Sequence, residues 1–331
     1  QDRSEIIGVN EPFNKKLDIL NGLINGEITI VDSSCDNGIV ISVVRDTMPK
    51  RYYAISFKPL EVKLLWSSNP ALENYTLASK ESFSLTNRDG LILEGYITYP
   101  VGMPRKDLPM VLKVHGGPRS RDLWSYEPIV QWIANRGYAC VQVNFRGSRG
   151  YGRAFMHAGD QQWGNKMQND LIDTVNYFIA QGVADPKRIA IFGASYGGYA
   201  ALCGAAFTPD LFCCAIDICG PSNLITHAKT MHASIESIHE MIGNPDTQAS
   251  MLRKYSPLFY VDRIKIPILM AHGAMDQKVI KEESEQMVKA LKRNRMTYEY
   301  LLFESEGHGL LQHQNLVRFF THADSFLERY L

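Results

Sequence analysis

The sequence predicts an α/β protein, a doubly wound and mostly parallel sheet preceded by a short all-β segment. Three observations carry this. From about residue 82 onward, short apolar runs alternate with stretches of helical periodicity, the pattern of strand–helix–strand crossovers. Within that region, Arg188–Phe192 is an apolar run, Gly193–Gly198 a glycine-rich turn and Tyr199–Ala206 a small-residue segment, which together read as strand, sharp turn, helix. Between residues 27 and 68, by contrast, four strand-like runs follow one another with only turn clusters between them.

Those four runs are Glu27–Asp32, Ile39–Arg45, Tyr52–Phe57 and Val62–Trp66, divided by clusters such as Cys35-Asp36-Asn37-Gly38 and Thr47-Met48-Pro49-Lys50. The boundary to the next region is expected near Asn69–Ala78, giving domains of residues 1–72 and 73–331. Ser82–Thr86 and Leu91–Tyr99 form a hairpin around the turn signal Asn87-Arg88-Asp89-Gly90. Pro109–Val114 is a strand, Leu123–Arg136 a helix closed by Gly137, and Tyr138–Asn144 the next strand. A helix over Lys166–Ala180 carries Met167, Leu171, Val175 and Ile179 on one face, so that face is buried. Ile266–Ala271 and Tyr298–Phe303 are further strands, and a terminal helix runs from Gln312 to Leu331.

The turn after Arg188–Phe192 reads Gly193-Ala194-Ser195-Tyr196-Gly197. A serine at the apex of strand, turn and helix is held out above the sheet as a nucleophile, and glycines permit the tight backbone. Alone, the pattern fits an ordinary turn with a capping serine equally well. The deciding context is the order Ser, acid, His of the α/β-hydrolases. Asp276 follows Ile266–Ala271 and His308 follows Tyr298–Phe303, each on a loop past a strand, where catalytic groups collect in open α/β sheets. Asp217, one strand earlier, is the rival acid, and Asp276 has the alternative role of capping the helix that starts near Lys281. Glu304 and Glu306 stand too close to His308 in sequence for the usual arrangement. The chemistry needs this set, because a serine hydroxyl is a poor nucleophile until an imidazole takes its proton, and a carboxylate fixes the imidazole's tautomer. An oxyanion would be held by the backbone N–H of Tyr196 and of Gly117, within His115-Gly116-Gly117-Pro118.

These stretches resemble the prolyl oligopeptidase family of serine peptidases, especially its acylaminoacyl-peptidase-like branch. The likeness rests on His115-Gly116-Gly117-Pro118, Asn144-Phe145-Arg146-Gly147-Ser148 with Gly150-Tyr151-Gly152, Asp185–Ala190 leading into Gly193–Tyr199, Ser256-Pro257-Leu258, His272-Gly273 through Val279, and Glu306-Gly307-His308-Gly309. They stand in family order over roughly residues 80–331. The resemblance implies a peptidase domain with Ser195, Asp276 and His308 as its triad. Two departures stand out. His115 replaces a tyrosine that serves some members as oxyanion donor, which favours the Gly117 backbone, and Ile280 stands where proline is frequent. The resemblance also implies a β-propeller ahead of the catalytic region. Four strands in about forty residues match one propeller blade. One blade cannot close a propeller of about four to eight. The chain is therefore expected to be the C-terminal piece of a longer protein, the alternative being a small β extension on a complete esterase.

Composition narrows the rest. The 35 Lys and Arg residues balance 35 Asp and Glu, so neither nucleic acid nor an anionic membrane surface is an expected partner. No apolar run approaches the roughly eighteen residues of a spanning helix, and Gln1–Glu5 has no signal-peptide profile. The six cysteines, Cys35, Cys140, Cys203, Cys213, Cys214 and Cys219, lie mostly in apolar segments and read as reduced core thiols of a cytoplasmic protein. There is no C-x-x-C and no H-E-x-x-H, and His227, His232 and His239 are spaced wrongly for one helical face, so neither metal nor cofactor is expected. Arg146, Arg149 and Arg153 sit on a glycine-rich loop, either to bind a substrate carboxylate or carbonyl or simply solvated. Tyr151 and Trp163 are candidate walls of a substrate pocket, with core packing as the alternative. The expected activity is hydrolysis of oligopeptides or acyl-peptides through an acyl-enzyme. A carboxylesterase with the same triad is the alternative, an inactive binding module the third reading, and a homo-oligomer is compatible with all of them.

Overall fold

The structure, a computed structural model, describes residues 3, 5–33, 37–231 and 235–331. Cys35, Asp36 and His232 lie outside the described residues. By its internal contacts the chain divides into two compact units. The first comprises residues 1–82, 96–103 and 123–137, the second residues 83–95, 104–122 and 138–331.

The first unit opens with a helix absent from the sequence expectations, α1 (Glu11–Leu23). Its signals are local: the Asn10 side chain accepts from Phe13 N at 3.0 Å, and Pro12 occupies the first turn. Strands β1 (Glu27–Ser33), β2 (Gly38–Val44), β3 (Arg51–Phe57) and β4 (Leu60–Ser67) form an antiparallel sheet in that order. Leu17 and Leu20 of α1 join Ile39, Ile41, Val43 and Ile55 in one buried cluster. Strand β4 is exposed along nearly its whole length, Leu60, Val62, Leu64, Leu65 and Trp66 included.

Strands β5 (Lys80–Thr86), β6 (Ile92–Thr98) and β7 (Leu108–Val114) follow, then α2 (Pro128–Asn135), β8 (Ala139–Asn144), α3 (Arg153–His157) and α4 (Lys166–Ala180). Next come β9 (Ala184–Ala194), α5 (Tyr196–Phe207), β10 (Cys214–Ile218), α6 (Leu224–Thr230), α7 (Ile235–Met241) and α8 (Ala249–Lys254). The chain ends with β11 (Ile268–Gly273), α9 (Glu282–Arg293), β12 (Tyr298–Phe303) and α10 (His313–Tyr330). The eight strands from β5 on make one sheet in the order β12-β11-β10-β9-β7-β8-β6-β5. From β12 through to β8 every neighbouring pair is parallel. Strands β7, β8, β10 and β11 are buried at every position, as parallel strands covered on both faces must be.

The order 9-7-8 marks where the winding reverses. The chain moves outward from β7 to β8, returns to place β9 on the other side of β7, and then continues through β10, β11 and β12. The loops at the carboxyl ends of β7 and β9 therefore diverge and leave a crevice, the usual ligand site of such sheets. His115–Pro118 and Ser195 occupy those two loops.

Two helices differ from expectation. Helix α2 starts at Pro128 rather than Leu123, because proline fits the first helical position while Trp124 and Tyr126 are held elsewhere, by Lys80 O and Arg45 O. Helix α4 has the predicted bounds, but Phe178 rather than Ile179 completes its buried face.

Candidate active site

Ser195 joins β9 to α5 with φ 59° and ψ −121°, a conformation that costs a non-glycine residue about 1–3 kcal/mol. The surroundings hold it there. Its N–H donates to Ile218 O at 2.8 Å on the neighbouring strand. The glycines around it answer to contact. A Cβ on Gly193 would lie 2.3 Å from the Gly197 carbonyl carbon, and a Cβ on Gly197 would lie 2.2 Å from Val114 O. Strand and helix can meet this closely only where neither carries a side chain, so the glycines force the serine to the apex.

His308 Nε2 lies 3.0 Å from Ser195 Oγ, and His308 Nδ1 lies 2.7 Å from Asp276 Oδ2. A carboxylate only accepts, so the imidazole proton rests on Nδ1 and Nε2 is left to accept from the serine hydroxyl. Asp276 is deeply held. Its Oδ1 accepts from Lys278 N at 2.8 Å and Val279 N at 3.0 Å. Burial works against the ionised form, but hydrogen bonds from His272 and His308, with Val279 N, hold the carboxyl well below the usual range. His272 is the partner sequence reasoning missed. Fully buried on β11, its Nε2 lies 2.9 Å from Val279 O and 3.5 Å from Asp276 Oδ2. The His308 loop has its own anchor. Buried Glu306 accepts from Leu311 N, Gln312 N and Asn315 Nδ2, tying the loop to the start of α10.

Ser195 and His308 open onto a cavity of about 560 Å³, lined among others by Gly116, Gly117, Trp163, Tyr196, His227 and Met231, with Asp276 buried behind them. Tyr196 is the first residue of α5, so its N–H has no acceptor within the helix. Gly117, at φ 119°, borders the same space. The His115 side chain is turned to other work. It stacks on Phe145 with centroids 4.4 Å apart, and its ring nitrogens lie within 2.9 Å of Ser148 Oγ and Gly116 O. A second cavity of about 500 Å³, in the first unit, is lined by residues such as Tyr75, Met103, Gln131 and Trp132 and contains no histidine, cysteine or carboxylate.

Of the pocket-wall candidates, Trp163 is in place, edge-on to Tyr196 at 4.6 Å. Tyr151 is not a wall. Its hydroxyl accepts from Asn144 Nδ2 at 2.8 Å, and Arg121 lies over its ring. Arg146 is neither solvated nor aimed at the cavity. It is 4% exposed, its guanidinium donates to Asp170 at 2.8 and 2.7 Å, and Asp89 lies 2.8 Å away. A pair so placed neutralises a carboxylate on α4 that has no contact with water.

The rival acid Asp217 is completely buried, accepts from Gly220 N at 2.8 Å, and makes no hydrogen bond to His308. Burial pushes its carboxyl up to about 7. The folded protein therefore keeps a proton that an unfolded aspartate, with a pKa of about 3.9, has already released. Stability from this group is present at acid pH and is lost as pH rises toward 7. Asp217→Asn is expected to raise Tm at pH 8 and leave it near wild type at pH 4. Equal shifts at both pH values would mean the carboxyl is not held protonated.

Two groups of described side chains gather three possible metal donors, Cys219 with Asp276 and His308, and His157 with Asp160 and Glu240. In the second, Arg119 already sits 2.8 Å from Asp160 and 3.5 Å from Glu240. No described helix is long and apolar enough to cross a membrane.

A parallel α/β sheet with a strained serine at its switch point, facing a histidine and a buried carboxylate, defines an α/β-hydrolase. More narrowly, the chain belongs to the prolyl oligopeptidase family, whose sequence model matches residues 124–331. It is 37% identical to dipeptidyl aminopeptidase BIII of Pseudoxanthomonas mexicana, over 99% of this chain and 50% of that protein. Among solved structures, a puromycin-hydrolysing peptidase of Mycobacterium tuberculosis superposes with a TM-score of 0.82 at 28% identity, covering 89% of this chain and 46% of that one. The acylaminoacyl peptidase of Pyrococcus horikoshii gives 0.81 at 26% identity, over 93% and 50%. The chain thus spans about half the length of the curated relatives it matches.

Proposed function

We propose that this chain is the catalytic portion of a serine peptidase that cleaves oligopeptides, acyl-peptides included, through an acyl-enzyme. The single observation that carries the reading is the unbroken line Ser195 Oγ–His308 Nε2 at 3.0 Å and His308 Nδ1–Asp276 Oδ2 at 2.7 Å, at the mouth of a cavity. Ser195 attacks the scissile carbonyl while His308 takes its proton. The N–H groups of Tyr196 and Gly117 receive the developing oxyanion, each such donor being worth about 10²–10³ in turnover. His308 returns the proton to the leaving amine, and the same steps with water release the acid. Trp163, Tyr196 and Met231 offer an apolar wall to the residue beside the scissile bond. The relatives named above, a dipeptidyl aminopeptidase and an acylaminoacyl peptidase, support peptides over simple esters.

In the same reading residues 73–331 are the catalytic domain, and the four-stranded sheet within residues 1–72 is part of a β-propeller. The exposed apolar side chains of β4 favour a further blade beside it. The free thiols Cys140, Cys203, Cys213, Cys214 and Cys219 favour a cytoplasmic location.

A fluorophosphonate probe tests the chemistry. Wild type is expected to label at Ser195, and Ser195→Ala to lose both labelling and about 10⁶-fold of kcat. Equal labelling of the two proteins would end the proposal. A rate enhancement over the uncatalysed reaction that is far larger for p-nitrophenyl esters than for peptide and acyl-peptide anilides would favour the carboxylesterase instead.

A further inference from the structure

We propose that Cys219, Asp276 and His308 together form an inhibitory binding site for a thiophilic divalent cation such as Zn²⁺. One donor atom from each lies within 4.8 Å of the others, offering sulfur, nitrogen and oxygen in a single cluster. Zinc takes such a set at about 2.0–2.3 Å, which at tetrahedral angles sets donors about 3.3–3.8 Å apart. His308 Nδ1 and Asp276 Oδ2, now 2.7 Å apart, would separate slightly. The shift is under an ångström and falls on the His308 side chain, which is partly exposed. Cys219 is held at the edge of the site. Its backbone is fixed at φ 46°, and its N–H donates to Ala271 O at 2.8 Å, just past the end of β10. Cys219 and His308 both line the cavity, from which ion and water can enter.

The charges agree. The ionised Asp276 gives the cluster a negative charge that a dication complements. In the other donor cluster Arg119 supplies positive charge already, whereas Cys219, Asp276 and His308 have no arginine or lysine in ion-pair contact among the described residues.

On binding, the thiol proton leaves to solvent and the imidazole proton passes from Nδ1 to Nε2 by way of water, while sulfur, Nδ1 and carboxylate oxygen bond to the metal. The neutral imidazole then carries its proton on Nε2. That atom donates toward Ser195 Oγ instead of accepting from it, and the general base is lost. This consequence rests on the triad reading; the binding itself does not.

Two measurements separate the two. Hydrolysis by wild type is followed against zinc and against EDTA, with each variant compared with its own metal-free rate. Wild type is expected to be inhibited reversibly. Cys219→Ser and Cys219→Ala are expected to need at least about tenfold more zinc, since even outer-sphere partners of a metal count for that much. Magnesium, a hard ion that prefers oxygen ligands, should not inhibit. Independently of turnover, cadmium added to wild type should give a thiolate-to-metal absorption band that Cys219→Ala lacks. Zinc sensitivity unchanged in both variants, or a cadmium band independent of Cys219, overturns the site. Absence of turnover with a Cys219-dependent band present would fault the peptidase reading and leave the site standing.

Discussion

Replacing Asp276 by asparagine is expected to lower kcat about 10⁴-fold with Ser195 and His308 still in place. The carboxylate can only accept, which places the imidazole proton on Nδ1 and leaves Nε2 free for the serine. An amide in the same position still accepts from Lys278 N and Val279 N through its oxygen, so the loop should hold. Its nitrogen then faces His308 and donates to Nδ1. The imidazole proton moves to Nε2, which points at Ser195 Oγ and can no longer take a proton. The substitution also has a stability signature. The folded carboxyl is held well below the usual range, so Asp276 stabilises the fold above pH 4 and loses that contribution as pH falls through its folded value. Asp276→Asn should therefore lower Tm more at pH 7 than at pH 3. Steady-state kinetics with thermal melts at both pH values check the two claims, and a loss of kcat below about tenfold would remove Asp276 from the proposed machinery.

The site was legible for a topological reason. In a parallel sheet the chemistry collects at the carboxyl ends of strands, so a reader needs only strand ends and polar residues just past them. Ser195, Asp276 and His308 each satisfy that rule, and the close approach of Gly193 to Gly197 explains why glycine had to flank the serine. Legibility failed where a partner is distant or a backbone unusual. His272 belongs to an ordinary apolar strand run, and nothing local announces that it faces Asp276. Cys219 reaches the site through a positive φ, and the Gly220-Pro221 turn signal beside it announces a turn but not what the thiol faces. Helix α1 was written in Asn10 and Pro12, but α1 has only two fully buried side chains, Leu17 and Leu20, to declare its face. Sequence pattern sees periodicity well, and pairings between distant residues hardly at all.

Arg146 is the sharpest instance, and its replacement by methionine is expected to cost about 3–5 kcal/mol of stability. Its sequence setting, an arginine on a glycine-rich loop beside two others, describes a residue in water or a ligand hook. The structure instead buries it against Asp170, 24 positions away, whose side chain has no exposure to solvent. Methionine keeps the apolar stem and removes the charge. Asp170 would then retain Asn87 Nδ2 at 2.7 Å and Arg146 N at 2.9 Å, two donors without a compensating cation. A buried carboxylate in that state must either bear its desolvation or take up a proton, and both lower stability at neutral pH. Arg146→Met with Asp170→Leu should recover much of the loss, because removing both charges is milder than stranding one. Denaturant titration of the two variants measures this. Kinetics separates the structural role from a ligand-binding one. If Arg146 only supports the fold, the folded fraction of Arg146→Met keeps its KM. If Arg146 holds substrate, KM rises while stability changes little, and the ion pair with Asp170 would have to open during turnover.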